Sequence, residues 1–284
     1  MKIIECPRDA MQGLIDFIPT SQKAAYINQL LKVGFDTIDF GSFVSPKAIP
    51  QLRDTVDVLE QLDLANTKTN LLAIVANVRG ATEAVNFNEI TFLGYPLSVS
   101  ETFQLRNTNA TIAQSLVNVD EIQNLCIKNN KKLVVYLSMG FGNPYGDVWN
   151  TDLVANYTQQ LVEKDVKIIS LADTVGIAAT DDISNLFKNL TATYTQTEFG
   201  AHLHTNNNNW QLKVDAAFKN GCKRFDTALK GYGGCPFAND TLTGNLATEN
   251  LLFYLKNSGV ETNVNTNEFD EALAHANQVF SNAH

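Results

Sequence analysis

His202-Leu203-His204 is the most distinctive chemical feature of this sequence, because it uses two of only four histidines among 284 residues. In an extended strand, side chains at positions i and i+2 point to the same face. Two imidazoles on one face supply half of a metal site, although an isolated pair is as often a structural feature of the core. Asp9 and Asn245 offer the oxygen ligands that would complete it. This mixed nitrogen and oxygen set favours Mg²⁺ or Mn²⁺ over a structural Zn²⁺.

Arg8 and Cys235 are two further candidates for chemistry. An arginine beside a carboxylate is usually half of a surface charge pair, but at the end of a strand its planar fork of donors can stabilise an enolate oxygen. Cys235 lies in the glycine-rich segment 231–236, which is typical of a mobile loop and would suit a lid. Its neighbours are Gly and Pro, whereas Cys126 and Cys222 fall in apolar runs. The Cys235 thiol could donate a proton or act as a nucleophile.

Other polar side chains follow the remaining apolar runs. They are Asp39, Ser42, Lys47, Arg79, Arg106, Ser138, Ser170 and Asp173. Each cation alone is most simply a solvated surface charge. Together, Lys47, Arg79 and Arg106 could form the basic patch with which an acidic protein holds a phosphorylated carrier such as coenzyme A.

Eight short apolar runs, continuous rather than alternating, predict strands that are buried on both faces. They are residues 3–5, 37–41, 71–76, 89–93, 132–138, 167–171, 198–203 and 224–228. The amphipathic segments between them predict helices, for example over residues 21–33, 112–129, 151–163, 183–190 and 210–220. Eight such units predict a (β/α)8 TIM barrel rather than an open doubly wound sheet, and residues 268–280 predict an additional C-terminal helix. No linker interrupts the pattern, so we expect residues 1–284 to form a single catalytic barrel domain.

The barrel explains how distant candidates can form one site. Active sites of such barrels lie at the carboxyl ends of the strands, where all the polar residues named above are found. Strands one and eight are neighbours across the closing seam. We therefore expect Asp9 and Asn245 to join His202 and His204 there.

Composition excludes several classes of function. The formal net charge of -9 argues against binding to nucleic acid or to an anionic membrane surface. No run of about 18 apolar residues could span a bilayer, and no secretory signal is evident. The four cysteines are widely spaced without a CxxC pair, so we expect no disulfide framework and a cytoplasmic location.

Several segments together resemble the 3-hydroxy-3-methylglutaryl-CoA lyase family of metal-dependent (β/α)8 enzymes. They are Pro7-Arg8-Asp9, SFVSPK at 42–47, SETF at 100–103, NTN at 107–109, SLADT at 170–174, His202-Leu203-His204, GGCPFA at 233–238 and GNLATE at 244–249. The match runs in order along nearly the whole chain, and its most specific parts are GGCP and SFVSPK. The resemblance implies a retro-Claisen cleavage of 3-hydroxy-3-methylglutaryl-CoA to acetoacetate and acetyl-CoA, as in leucine catabolism. It also implies a homodimer.

The resemblance further implies a role for each candidate residue. The implied metal ligands are Asp9, His202, His204 and Asn245. Arg8 would hold the thioester carbonyl, Cys235 would protonate the product carbon, and Asp173 would support the site. We expect substrate contacts from Arg8, Ser42, Lys47, Ser138 and Ser170. Asp9, His202 and Asp39 all remain candidates for the general base.

Three departures from the family pattern keep other functions open. Asp39 stands where the family has Glu, Thr205 where it has Asp, and Ala10-Met11 where Gly-Leu is typical. One alternative is a related metal-dependent aldolase or acyl-CoA condensing enzyme acting on another 2-oxo or 3-hydroxyacyl substrate. Another is a catalytically weak barrel that binds acyl-CoA or metal. Cys235 favours the lyase over the first alternative, and the intact set of ligands favours it over the second.

Overall fold

The computed structural model describes residues 1–234 and 244–280. Eight parallel strands form a closed barrel, since each pairs with the next and β8 pairs with β1. These strands are β1 Lys2–Glu5, β2 Thr37–Ser42, β3 Asn70–Ile74, β4 Ile90–Ser98, β5 Lys132–Ser138, β6 Ile168–Asp173, β7 Glu198–Thr205 and β8 Arg224–Thr227. A short ninth strand, β9 Gly244–Asn245, pairs antiparallel with β7. The predicted TIM barrel is confirmed.

Helices follow the strands around the outside of the barrel. They are α1 Pro7–Gln12, α2 Thr20–Val33, α3 Thr55–Leu59, α4 Val78–Ala84, α5 Glu101–Thr108, α6 Ile112–Lys128, α7 Thr151–Glu163, α8 Thr180–Thr193, α9 Trp210–Lys219, α10 Thr248–Asn257 and α11 Thr266–Val279. The predicted C-terminal helix is α11, which packs against α2 through a hydrogen bond from Gln29 to Glu268. Among the described residues, no helix has the length and apolar character needed to cross a bilayer.

Two details near the site differ from the sequence analysis. Arg8 and Asp9 do not end a strand but lie on α1, because Pro7 occupies the first helical turn, where its fixed φ favours a helix start. Strand β4 continues past residue 93 through Gly94 and Pro96, which are ordinarily strand breakers. A larger residue at position 94 would require neighbouring side chains to move, since a Cβ there would lie 2.5 Å from Cδ1 of Ile74.

The barrel interior is filled in its middle by a small apolar cluster. Its members are Leu72, Ile74, Phe92, Val134, Tyr136 and Ile168. A much larger apolar shell between the strands and the helices holds the barrel together. Ile74 and Tyr136 of this cluster also line the cavity described below, so the apolar interior forms part of its wall.

Candidate active site

A cavity of about 440 Å³ opens at the carboxyl ends of the strands. Its lining combines ionisable residues from the sequence motifs with an apolar wall. The arginine, aspartate and histidine residues of the lining are Arg8, Asp9, Arg106, His202 and His204, and the apolar wall includes Val44, Ile49, Ile74, Pro96 and Phe103. A volume of this size suits a small organic ligand that is held by a few polar groups.

Asp9, His202 and His204 converge at this cavity, with one potential ligand atom from each lying within 4.8 Å of the others. The two histidines alternate with Leu203 on β7 and therefore share the inner face. Asp9 reaches them from α1 because barrel closure places β1 beside β8 and β8 beside β7. Asn245 of β9 pairs with His204 of β7. The amide Nδ2 of Asn245 donates a hydrogen bond to Asp9 Oδ2 at 2.8 Å.

The electrostatics of this group suit a divalent cation. Burial raises the pKa of Asp9, but the charges of Arg8, His202 and His204 outweigh that effect and lower the pKa to about 2. Burial, with the charge of His202, lowers the pKa of His204 to about 4. Nδ1 of His204 is buried without a hydrogen-bond partner among the described residues. A neutral imidazole with an unused nitrogen beside a carboxylate fits a metal ion.

Arg8 is held in place by a buried ion pair. Its Nε and Nη2 donate to Asp39, with Nη2 lying 2.5 Å from Oδ2, and its Nη1 donates to Asp9 and Gln12 at 2.9 Å each. A guanidinium has five N–H donors. These bonds occupy four of them, which leaves one Nη2 hydrogen for a ligand in the cavity.

Asp39 therefore lies behind Arg8 rather than at the surface of the cavity. Its side chain is fully buried, and both carboxylate oxygens accept hydrogen bonds from Arg8. Burial raises the pKa of Asp39 to about 6, against the opposing charge of Arg8. The position favours Asp39 as a support for Arg8 over Asp39 as a base in contact with substrate.

Asp226 is a site residue that the sequence analysis missed. It lies fully buried on β8, and its Oδ2 is 3.3 Å from Nδ1 of His202. The hydroxyl of Ser170 donates to the same oxygen at 3.2 Å, so Ser170 lies beneath the site. Burial lowers the pKa of His202, but the hydrogen bond and charge of Asp226 raise it overall. The available signal was a carboxylate inside Arg224–Thr227, a segment that the sequence analysis had predicted to be a buried strand.

Asp173 is also buried, at the end of β6, where it pairs with Lys213 of α9. Burial raises the pKa of Asp173 against the opposing charge of Lys213. The residue is absent from the cavity lining, whereas its neighbour Thr174 belongs to it. Any support that Asp173 gives to the site is therefore indirect.

The predicted substrate contacts are only partly brought together. Ser138 and Arg106 line the cavity. Ser42 is buried, and its hydroxyl accepts a hydrogen bond from the amide of Val44. Lys47 and Arg79 are exposed and lie outside the lining, so the basic patch that the sequence suggested is reduced to Arg106.

Cys235 lies outside the described residues. The two glycines before it can be placed. Gly234 lines the cavity, and Gly233 packs against α1, where a Cβ would lie 2.7 Å from the carbonyl oxygen of Asp9. Gly233 also has a φ of 82°, in the left-handed region that favours glycine. This segment therefore approaches the backbone of Asp9 more closely than any larger residue would allow.

Comparison with known proteins identifies the family. A model of the HMGL-like family matches residues 2–275. The chain belongs to the HMGL-like family. This confirms the resemblance seen in the sequence motifs.

Individual members of the family are similar to this chain over most of their length. The chain is 33% identical over 260 residues to hydroxymethylglutaryl-CoA lyase YngG of Bacillus subtilis (strain 168), covering 91% of this chain and 85% of that protein. It is 30% identical over 277 residues to the mitochondrial hydroxymethylglutaryl-CoA lyase of Bos taurus, covering 96% and 84%. A solved HMG-CoA lyase from Acinetobacter baumannii, described as a complex with coenzyme A and 3-methylmalate, matches with a TM-score of 0.90 at 30% identity, covering 99% of this chain and 91% of that one.

Proposed function

We propose that this protein is a divalent-metal-dependent hydroxymethylglutaryl-CoA lyase that cleaves 3-hydroxy-3-methylglutaryl-CoA to acetoacetate and acetyl-CoA. The observation that carries the proposal is the convergence of Asp9, His202 and His204 beside Arg8 in one cavity of an HMGL-like chain. The names of the similar proteins support the same reaction.

Asp9, His202 and His204 would hold the metal ion, with the Asn245 amide beside them. The nitrogen and oxygen donors, without a thiolate among them, favour Mg²⁺ or Mn²⁺. A cation bound there would supply positive charge that lowers the pKa of a substrate hydroxyl group. Asp226 would orient His202 by bonding its Nδ1, which leaves Nε2 facing the cavity.

The reaction begins with removal of the proton from the tertiary hydroxyl group of the substrate. The bond between the carbon bearing that hydroxyl and the methylene next to the thioester then breaks, and the hydroxyl oxygen becomes the ketone oxygen of acetoacetate. One product is acetoacetate, and the electron pair of the broken bond passes to the thioester as an acetyl-CoA enolate. Protonation of the enolate carbon gives acetyl-CoA.

Asp9 and His202 line the cavity and are the stronger candidates for the base, since both oxygens of Asp39 are bonded to Arg8. Because Asp226 holds Nδ1 of His202, His202 would act as base only while its Nε2 is not bound to the metal ion. Arg8 would stabilise the enolate oxygen through its remaining Nη2 hydrogen. Its orientation is set before substrate binds, because Asp39, Asp9 and Gln12 hold the other donors. Preorganised donors of this kind stabilise developing negative charge with little reorganisation.

Cys235 would return a proton to the enolate carbon. Support for this role comes from its neighbour Gly234, which lines the cavity. A thiol with an ordinary pKa near 8.5 is mostly protonated at neutral pH and can act as a proton donor.

Thr205 stands where the family pattern has Asp, but this difference leaves the proposed metal ligands themselves intact.

Arg106 is the cation best placed to meet the phosphate-bearing carrier. It lines the mouth of the cavity with Asn107 and Thr108, and its guanidinium lies 4.8 Å from the centre of the Tyr145 ring. Ser138 would contact the acyl end from the floor of the cavity. Lys47 and Arg79 lie outside the cavity lining, so they would attract the phosphate groups of the carrier only from a distance.

The deciding experiment measures acetoacetate after purified protein is incubated with 3-hydroxy-3-methylglutaryl-CoA and Mg²⁺ or Mn²⁺. We expect product with at least one of the metals and none after treatment with a chelator. Binding of coenzyme A and metal without product would favour the catalytically weak binder. Product from a different 2-oxo or 3-hydroxyacyl substrate alone would favour the aldolase or condensing enzyme.

We also propose a cytoplasmic location, because Cys6, Cys126 and Cys222 are free thiols, as is typical of a reducing compartment. The homodimer and the role in leucine catabolism stay predictions.

A further inference from the structure

We infer that Lys213, on the outer helix α9, is a positioning residue that holds His204 in the orientation needed to bind the metal ion. This inference rests on the metal site of the proposed function. Lys213 belongs to none of the sequence motifs described above, and it does not line the cavity. It acts from behind the wall of the barrel.

The ammonium group of Lys213 makes three hydrogen bonds in a buried position. Its side chain is 3% exposed. Nζ donates to Oδ2 of Asp173 at 2.5 Å, to the carbonyl oxygen of Gly176 at 2.8 Å and to the carbonyl oxygen of His204 at 3.0 Å. An ammonium has three N–H donors, so every donor is used within the protein.

These three oxygens belong to two neighbouring strands and the turn that follows one of them. Asp173 ends β6, Gly176 lies in the turn after it, and His204 lies near the end of β7. The second oxygen of Asp173 accepts a hydrogen bond from the amide of Ala178, which closes the same turn. Lys213 thus fixes the positions of the β6 turn and the β7 backbone relative to each other.

The orientation of the His204 ring depends on those two positions. His204 and Thr174 both line the cavity, and the buried Nδ1 of the His204 ring has no hydrogen-bond partner among the described residues. Thr174 directly follows Asp173, which Lys213 holds. The main chain that carries the ring is therefore bonded directly to Lys213, and the neighbouring cavity residue Thr174 is adjacent to Asp173, which Lys213 also bonds.

A lysine suits this position better than an arginine. The ammonium is a compact charge on a flexible stem, so it can donate to three oxygens that converge on one point. A planar guanidinium presents its donors in one plane and needs more space. We therefore expect Lys213→Arg to fail to restore metal binding despite keeping the positive charge.

The test compares Mn²⁺ binding in two matched variants by isothermal titration calorimetry. Lys213→Met removes the ammonium and keeps most of the length of the side chain. Lys23→Met is the control, because Lys23 is also buried and pairs with a buried aspartate, Asp54, at 2.7 Å. Neither member of that control pair lines the cavity. Both variants lose a buried ion pair, so both should unfold at lower temperature.

We expect Lys213→Met to weaken Mn²⁺ binding by about 10- to 100-fold, the usual effect of losing a group that orients a metal ligand. Lys23→Met should bind Mn²⁺ within about threefold of the wild type. Equal Mn²⁺ affinities in wild type and Lys213→Met would overturn the inference. An equal loss of affinity in both variants would also overturn it, because the effect would then be a general loss of stability.

The single variant leaves Asp173 as an unpaired buried charge, which could prevent folding. The double variant Lys213→Met/Asp173→Asn removes that charge, and Lys23→Met/Asp54→Asn is its matched control. We expect the first to fold yet bind Mn²⁺ weakly and the second to bind it normally. Wild-type affinity in the first double variant would refute the role of Lys213.

The wild-type titration separates this inference from the proposed function. A wild type that binds Mn²⁺ while the Lys213 variants bind it equally well contradicts only the positioning role. A wild type that binds neither Mn²⁺ nor Mg²⁺ contradicts the metal site and, with it, the inference about Lys213.

Discussion

Glu5, at the carboxyl end of β1, should make the free energy of unfolding of this protein depend strongly on pH. Its carboxyl group is fully buried, where Oε1 accepts from the amide of Leu229 at 2.8 Å and Oε2 from the hydroxyl of Thr248 at 2.6 Å. These bonds join β1 to the segment after β8 and to the start of α10. Burial raises the pKa of Glu5 to about 8, although both hydrogen bonds act in the opposite direction.

The sign of the effect follows from the two protonation states. Below pH 4.5 the carboxyl group is protonated in both the folded and unfolded chains. Between pH 4.5 and about 8 the unfolded chain releases the proton while the folded protein keeps it. The free energy of unfolding therefore falls as pH rises through this range, by about 1.4 kcal/mol per pH unit and roughly 5 kcal/mol in all.

Glu5→Gln removes this dependence, because glutamine resembles the protonated carboxyl group and does not titrate. At pH 5 we expect the free energy of unfolding of the variant to lie within about 1 kcal/mol of the wild-type value, a difference typical of one hydrogen bond. At pH 8 it should be more stable by several kcal/mol. The assay is urea unfolding followed by circular dichroism at pH 5, 6, 7 and 8. A stability difference that stays constant across this range would refute the reasoning.

Three further substitutions test the site. His204→Ala should abolish binding of Mn²⁺ or Mg²⁺ measured by calorimetry, and unchanged metal content would remove His204 from the ligand set. Asp226→Asn should weaken metal binding by about 10- to 100-fold, because His202 loses the carboxylate that orients it; wild-type affinity would contradict that role. Arg8→Gln should lower kcat on the order of 10²-fold or more, since it removes a donor to the enolate. A rate near that of the wild type would mean that Arg8 does not contact the enolate oxygen.

Much of the fold could be predicted from local patterns. Continuous apolar runs indicated all eight barrel strands, because buried parallel strands bear apolar residues on both faces. The extension of β4 through Gly94 and Pro96 was missed for a tertiary reason. Both residues are weak strand formers, but neighbouring side chains inside the barrel need the space that Gly94 leaves.

The sequence by itself determined the composition of the site and the shared direction of His202 and His204, because side-chain alternation along a strand is a local property. The tertiary structure decided which charges pair. It placed Asp39 behind Arg8, Asp226 behind His202 and Lys213 on the carbonyl oxygen of His204. Partners from separate strands and helices meet only when the barrel closes, and their distances depend on strand register and helix packing, which no short sequence pattern specifies.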